Sequence, residues 1–191
     1  MMSSEKNGNG TFRILNWIED LIEIVERFKS VHLVGFSLGG VPATYVSRLS
    51  AVKSLVLVAV PCSLDVMRDD LIRKAYENAV AKKSLKGVRD FDEFMLNFRK
   101  DMEEFAPIKW IERINKPVLF VHGTDDDVIP IESSRIMYER AVGDKYFLEV
   151  RNGGHRLRNH ESVMRAVAEW ILMYYKRSKY KWDTKHLLIH V

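Results

Sequence analysis

The sequence has little cysteine and no long apolar run, and each shortage excludes a class of protein. Cys62 is the only cysteine in 191 residues, so no internal disulfide can form, which fits a reducing cytoplasm. No apolar stretch reaches the roughly 18 residues that a membrane-spanning helix needs. Residues 1–10 are too polar for a signal peptide and predict a disordered leader. We therefore expect a cytoplasmic protein.

Signals for bound nucleotides, metals and nucleic acids are also missing. The glycine-rich segment 35–40 has neither Gly-x-Gly-x-x-Gly spacing nor a Gly-Lys-Ser/Thr ending, which argues against a phosphate-binding loop. No Cys, His or carboxylate cluster has metal-ligand spacing, and the run Asp125–Asp127 would bind a cation only weakly. The net charge of +4 is too small to favour nucleic acid. We predict no cofactor, no metal, and neither nucleic acid nor membrane as a partner.

The most informative segment that is present is Gly35-Phe36-Ser37-Leu38-Gly39. It lies between an apolar run over 31–34, typical of a buried strand, and a stretch of small residues that predicts a helix over 40–49. A serine on such a sharp strand-to-helix turn forms the nucleophile elbow of an α/β hydrolase. We predict Ser37 as the nucleophile and the backbone N–H of Leu38 as an oxyanion donor. The alternative is a glycine-rich turn that merely joins a strand to a helix.

A serine hydroxyl needs a histidine to take its proton and a carboxylate to orient that histidine. In this fold the order along the chain is serine, acid, histidine. The strand predicted over 117–123 runs directly into Asp125, Asp126 and Asp127. A carboxylate just beyond the carboxyl end of a strand points toward the same crevice as the elbow, so three aspartates compete for one role. A purely polar turn is the alternative, because Asp is a common turn former.

The segment from His122 to Pro130 resembles the His-Gly-x-x-Asp-x-x-Val-Pro segment of α/β hydrolases of the esterase, lipase and acyl-peptidase type. The resemblance implies that Asp126 is the acid and that His122 is structural. The terminal histidine of the family follows glycine in a short loop between the last strand and the last helix, which implies His155 as the base. His160 is a rival base, although it lies where the final helix should begin.

The resemblance implies an α/β fold with a mainly parallel sheet of at least four strands flanked by helices. An amphipathic helix is predicted over 11–28, and the cap is expected to contain helices over 66–83 and 91–105. The Met and Phe content of the cap would either line an apolar pocket or anchor the cap on the sheet. The predicted divisions are a leader over 1–10, an α/β-hydrolase-like domain over 11–176 with a helical cap over 62–113, and a basic aromatic tail over 177–191.

The resemblance covers only the C-terminal part of a hydrolase domain, which in this family usually begins with further strands and helices. The second oxyanion donor normally comes from a loop after an early strand, and the 191 residues contain no upstream His-Gly loop. Three explanations stay open: a fragment of a longer hydrolase, a short hydrolase completed by a second chain, or a degenerate domain. The elbow strand should then have an open edge, which predicts a homodimer or a higher oligomer.

The function implied is a serine hydrolase that cleaves a small-molecule ester, thioester or amide through an acyl-enzyme, without a cofactor and with activity impaired by the missing portion. The alternative is a non-catalytic interaction domain that lacks a complete oxyanion hole. The segment 176–185 interleaves five basic residues with Tyr180 and Trp182, which would suit a nucleic-acid or membrane contact. A solvated helix end, followed by a strand or tail that packs on the domain or a partner, is favoured instead.

Overall fold

The structure, a computed structural model, describes residues 12–85, 87–175 and 186–191. The predicted leader and residues 177–185 of the predicted tail lie outside the described residues. The helices are α1 (Ile14–Glu26), α2 (Gly40–Val46), α3 (Asp69–Ala81), α4 (Phe91–Phe105), α5 (Pro107–Trp110), α6 (Glu132–Arg140) and α7 (Glu161–Tyr175). The strands are β1 (Val31–Phe36), β2 (Val52–Val58), β3 (Val118–Gly123), β4 (Lys145–Arg151) and β5 (His186–His190).

The five strands form one sheet in the order β1-β2-β3-β4-β5. All four pairings are parallel. Every residue of β3 is buried, as expected for a central parallel strand that is covered on both faces and therefore reads as a continuous apolar run. The prediction of a mainly parallel sheet of at least four strands with flanking helices is confirmed.

The two faces of the sheet pack against different helices. Leu57 and Phe120 lie on the face where Met137 of α6 completes the apolar cluster. Their neighbours along the strands point the other way, and Val58 packs in a cluster with Trp170 of α7. Alternate residues of one strand thus face opposite layers. Because helices cover both faces of the sheet, the loops at the carboxyl ends of the strands are the place where a site can form.

Helices α1, α2 and α4 form one apolar layer at the β1 side of the sheet. Ile18 of α1 and Phe98 and Met102 of α4 are each 2% exposed or less, and they belong to the same cluster. The buried carboxylate of Asp101 on α4 accepts a hydrogen bond from the backbone N–H of Ile14 at 2.7 Å. A side chain far along the sequence therefore supplies the N-terminal cap of α1, a position where an acidic oxygen satisfies an otherwise unpaired donor.

The end of the predicted tail is part of the sheet. Residues His186–His190 form β5 and pair in parallel with β4. Leu187 and Ile189 pack against the cluster under α7, whereas Leu188 is 43% exposed. At the other end of the sheet, β1 pairs with β2 alone among the described strands. Within the described part of the chain, every helix is too short or too polar to cross a bilayer.

Candidate active site

The elbow turn is held by close backbone packing. Ser37 follows β1 directly and has φ of 48°, in the left-handed region that non-glycine residues rarely adopt. A Cβ on Gly35 would lie 2.5 Å from Cα of Gly40, and a Cβ on Gly40 would lie 2.2 Å from a methyl of Val60. Gly39, in contrast, has open space around it. The two glycines that the turn needs for space are therefore Gly35 and Gly40, whereas Gly39 of the pentapeptide is not one of them.

His155 lies between the other two predicted site residues. Its Nε2 is 2.9 Å from Oγ of Ser37, and its Nδ1 is 2.9 Å from Oδ2 of Asp126. The His155 side chain is 19% exposed and that of Asp126 is fully buried. The structure thus brings Ser37, Asp126 and His155 together, although they are far apart in sequence. His160, the rival base, lies just before α7, and its carbonyl accepts a hydrogen bond from the N–H of Met164.

The loop after β3 separates the three adjacent aspartates. Asp126 turns inward, where its Oδ1 accepts hydrogen bonds from the backbone N–H groups of Val128 and Ile129, both at 2.9 Å. Asp125 and Asp127 are exposed, and Asp125 accepts a hydrogen bond from its neighbour Thr124. Of the three aspartates that compete for the role of the acid, Asp126 is therefore the one that meets His155, and the other two are solvated turn residues.

The loops after β3 and β4 are in contact, which sets the distance between Asp126 and His155. A Cβ on Gly123 would lie 2.0 Å from the carbonyl oxygen of Gly153, so this contact requires glycine at the end of β3. The N–H of Asp125 donates to the same carbonyl at 3.0 Å. The two loops therefore act as one rigid support for the acid and the histidine.

The charge of Asp126 is stabilised despite its burial. Burial alone would raise the pKa of Asp126, but the hydrogen bonds from His122, His155 and the N–H groups of Ile129 and Val128 outweigh it and hold the pKa well below its usual range. A carboxylate accepts from Nδ1–H of His155, which leaves the lone pair of Nε2 facing the hydroxyl of Ser37. This is the arrangement in which an imidazole can take a proton from a serine.

A second set of contacts behind Asp126 was not predicted from the sequence. Nε2 of His122 lies 2.9 Å from the carbonyl oxygen of Ile129 and 3.3 Å from Oδ2 of Asp126. Its Nδ1 is 2.7 Å from Oγ of Ser134 on α6. The sequence marks His122 as a structural residue, but no spacing rule links it to Ser134, since the pairing depends on how α6 packs against β3.

The aromatic and Met side chains of the cap anchor it to the domain. Phe94, Phe98 and Met102 are at most 7% exposed and lie in the cluster with α1. Phe12 makes ring contacts with Phe94 at 5.1 Å and with Phe98 at 6.3 Å between centroids. Leu38, next to Ser37, packs against the same cluster. The sequence predicts that the cap residues either line an apolar pocket or anchor the cap, and Phe94, Phe98 and Met102 anchor it.

Residues 88–187, just over half of the chain, match the family described as PhoPQ-activated pathogenicity-related protein. The chain belongs to this family. The match includes Asp126 and His155, whereas Ser37 lies upstream of it. The site therefore combines residues from within the PhoPQ-related region with a nucleophile candidate from the preceding segment.

One curated relative and many solved structures are similar to this PhoPQ-related chain. Uncharacterized protein YqkD of Bacillus subtilis is 37% identical over 71 residues, which are 36% of this chain and only 23% of that protein. A monoacylglycerol lipase from Paleococcus ferrophilus superposes with a TM-score of 0.66 at 20% identity, covering 86% of this chain and 77% of the lipase. A bromoperoxidase from Bacillus anthracis superposes with a TM-score of 0.62 at 19% identity, covering 92% of this chain and 78% of the bromoperoxidase. The fold is that of the α/β hydrolases.

Proposed function

We propose that the protein is a serine hydrolase that cleaves a carboxylic ester, thioester or amide through an acyl-enzyme. The observation that carries the proposal is the unbroken line of contacts from Ser37 Oγ to His155 Nε2 and from His155 Nδ1 to Asp126 Oδ2, each 2.9 Å long. The elbow backbone, with Ser37 at positive φ, supports it independently, because strained backbone of this kind clusters at functional sites.

In the first half of the reaction, Oγ of Ser37 attacks the carbonyl carbon of the substrate while Nε2 of His155 takes the hydroxyl proton. The carbonyl π electrons move onto oxygen, and the N–H of Leu38 donates a hydrogen bond to that oxyanion. The imidazolium then returns the proton to the leaving alcohol, thiol or amine as its bond to carbon breaks. Asp126 stays ionised throughout and stabilises the imidazolium.

In the second half, water replaces the leaving group. His155 takes a proton from the water, whose oxygen attacks the acyl carbon, and then returns the proton to Oγ as the acid product departs. Every atom is supplied by substrate, water and the three side chains, so the reaction as proposed needs no cofactor. A monoacylglycerol lipase and a carboxylesterase are among the proteins of similar fold, which supports an ester as the first substrate to test.

The test is hydrolysis of a short-chain p-nitrophenyl ester by the wild type and by Ser37→Ala. We expect the variant to lose nearly all of the protein-dependent rate, since removal of a triad member in other enzymes costs up to about 10⁶-fold in kcat. Ser50→Ala, which changes an exposed serine, is the matched control and should keep the wild-type rate. A fluorophosphonate should label Ser37 in the wild type. Equal rates for wild type and Ser37→Ala, together with no label on folded protein, would refute the proposal.

A non-catalytic interaction domain is the second candidate function. It is favoured by the position of β1 at the end of the described sheet and by the exposed apolar side chains of α1, Ile24 at 51% and Phe28 beyond its end at 55%. We also propose that a second copy of the chain covers the edge of β1 in a homodimer or higher oligomer. Light scattering that finds a folded monomer at micromolar concentration would exclude that assembly.

A further inference from the structure

We propose that His122 is a positioning residue for the Ser37–His155–Asp126 group, and that the hydroxyl of Ser134 helps to hold the His122 ring by donating to its Nδ1. The inference rests on the proposed function and adds a fourth and a fifth residue to it. The polar contacts of His122 are with Asp126, Ile129 and Ser134, so it acts through Asp126 and the turn that holds Asp126.

The tautomer of His122 follows from its neighbours. Nε2 faces the carbonyl oxygen of Ile129 at 2.9 Å and a carboxylate oxygen of Asp126 at 3.3 Å, and both are acceptors only. Nε2 must therefore carry a hydrogen. In the neutral ring Nδ1 is then an acceptor, and the Ser134 hydroxyl at 2.7 Å is the donor that fills it. The other tautomer would place the lone pair of Nε2 against two oxygens in a fully buried site, and a flipped ring would place a carbon there in place of the donor.

His122 holds Asp126 in two ways. The direct way is the 3.3 Å contact with Oδ2, the same oxygen that accepts from Nδ1 of His155. The indirect way passes through Ile129, whose carbonyl accepts from His122 while its N–H donates to Oδ1 of Asp126 at 2.9 Å. One imidazole thus fixes both the carboxylate and the turn that binds its other oxygen.

The consequence for the site concerns His155. Loss of the His122 donor leaves Asp126 with a buried charge that is less well satisfied, and its carboxyl plane is free to rotate. The tautomer of His155 depends on that plane, because only a well-placed oxygen keeps the hydrogen on Nδ1 and the lone pair of Nε2 toward Ser37. We therefore expect His122 to act on kcat and not on substrate binding.

Two substitutions separate this role from simple packing. In His122→Gln the amide can place an N–H near the position of Nε2, so the bond to Ile129 and Asp126 is preserved. In His122→Asn the shorter amide reaches only the position of Nδ1, so the contact with Ser134 is kept and the donor to Asp126 is lost. We expect His122→Asn to lower kcat for the p-nitrophenyl ester by about tenfold to hundredfold with KM unchanged. The His122→Gln variant should keep most of the wild-type kcat.

A second measurement does not depend on turnover. Proton–nitrogen correlation spectra of the imidazole rings in isotope-labelled protein report which nitrogen of each histidine carries hydrogen. We expect Nε2–H for His122 and Nδ1–H for His155 in the wild type, a mixture of His155 tautomers in His122→Asn, and the wild-type tautomer in His122→Gln. If the wild type hydrolyses no ester and takes no fluorophosphonate label, the proposed function fails, yet these spectra still test the positioning role.

Ser134→Ala tests the same role without changing the histidine. This variant replaces His122→Asn in the test if the latter does not fold. Its matched control is Ser133→Ala, which removes an equally buried neighbouring hydroxyl that instead donates to the carbonyl of Val60. We expect Ser134→Ala to keep the hydrogen on Nε2 of His122 but to shift the resonance of its Nδ1, which loses its donor, and to lower kcat because the ring is held less firmly. Ser133→Ala should lower only the melting temperature. Equal loss of kcat in His122→Asn and His122→Gln, or one unchanged His155 tautomer in every variant, would overturn the proposal.

Discussion

Asp101 in the helical layer and Asp126 at the strand ends are two buried carboxylates with different kinds of partner. Their side chains are 1% and 0% exposed, respectively. Each accepts hydrogen bonds from two backbone N–H groups, Ile14 and Leu15 for Asp101 and Val128 and Ile129 for Asp126. The difference is that Asp101 pairs with the guanidinium of Arg13, whereas Asp126 faces two imidazoles.

The charged or titratable nature of the partner distinguishes the structural carboxylate, Asp101, from Asp126, which is suited to proton-transfer chemistry. A guanidinium stays charged at every relevant pH, so Arg13 and Asp101 form a permanent pair that fixes the start of α1 against α4. An imidazole gains and loses a proton near neutral pH, so the partner of Asp126 can change its charge during a reaction. Burial and backbone hydrogen bonds alone do not distinguish the two sites.

The largest expected effect is that of Asp126→Asn on turnover. An amide at this position can present its N–H to Nδ1 of His155, which favours the wrong tautomer, and the equivalent change in a well-studied serine protease lowers kcat by about 10⁴-fold. Steady-state hydrolysis of a p-nitrophenyl ester measures the effect. A folded Asp126→Asn protein that keeps the wild-type kcat would show that Asp126 does not orient His155.

The second-largest expected effect is a loss of stability when Asp101 is replaced by alanine. Asp101→Ala removes the cap of α1 and leaves the partly buried Arg13 without its partner, so we expect the free energy of unfolding to fall by about 3 kcal/mol. Urea unfolding followed by tryptophan fluorescence measures it.

The catalytic rate of the molecules that remain folded should not change in Asp101→Ala, and Asp70→Ala is the control. Asp70 is an exposed carboxylate that pairs with Arg68 on the surface, where such pairs contribute little. If Asp101→Ala unfolds no more easily than Asp70→Ala, the buried pair does not hold the helical layer.

The smallest expected effect is a pH dependence of stability that Asp126 contributes. Because its pKa is lower in the folded than in the unfolded protein, its contribution is present above the unfolded pKa of about 3.9 and is lost as the pH falls from there toward the folded pKa. Urea unfolding between about pH 6 and pH 3 should show a shallower decline for Asp126→Asn than for the wild type. Parallel curves for the two proteins would contradict the lowered pKa.

Much of the architecture follows from local sequence. The predicted helix over 91–105 agrees with α4, and the strand predicted over 117–123 differs from β3 by one residue. Helix α3 begins at Asp69, later than the predicted residue 66, because Leu64–Val66 form a separate 3-10 turn and Met67 is extended. Asp69 and Asp70 in the first turn of α3 are the signal that marks its true start, since acidic side chains favour helix N-termini.

Other features depend on contacts that no local pattern reports. The lack of space around Gly40 is set by the side chain of Val60, which lies beyond the next strand. The contact of His122 with Ser134 requires β3 and α6 to be packed together. The pairing of Arg13 with Asp101 spans 88 residues of sequence. Each of these contacts forms only when distant segments meet.

By itself, the sequence determined the alternation of strands and helices, the elbow around Ser37 and the order of the residues that follow it, because apolar periodicity and short glycine turns act over a few neighbouring residues. Only the tertiary structure decided that Asp126 turns inward while its neighbours face solvent, that Asp101 caps a helix far from it in sequence, and that residues 186–190 add a strand to the sheet. The physical reason is that burial and hydrogen bonding of a side chain depend on which segments pack around it, and strand register sets that packing across the whole chain.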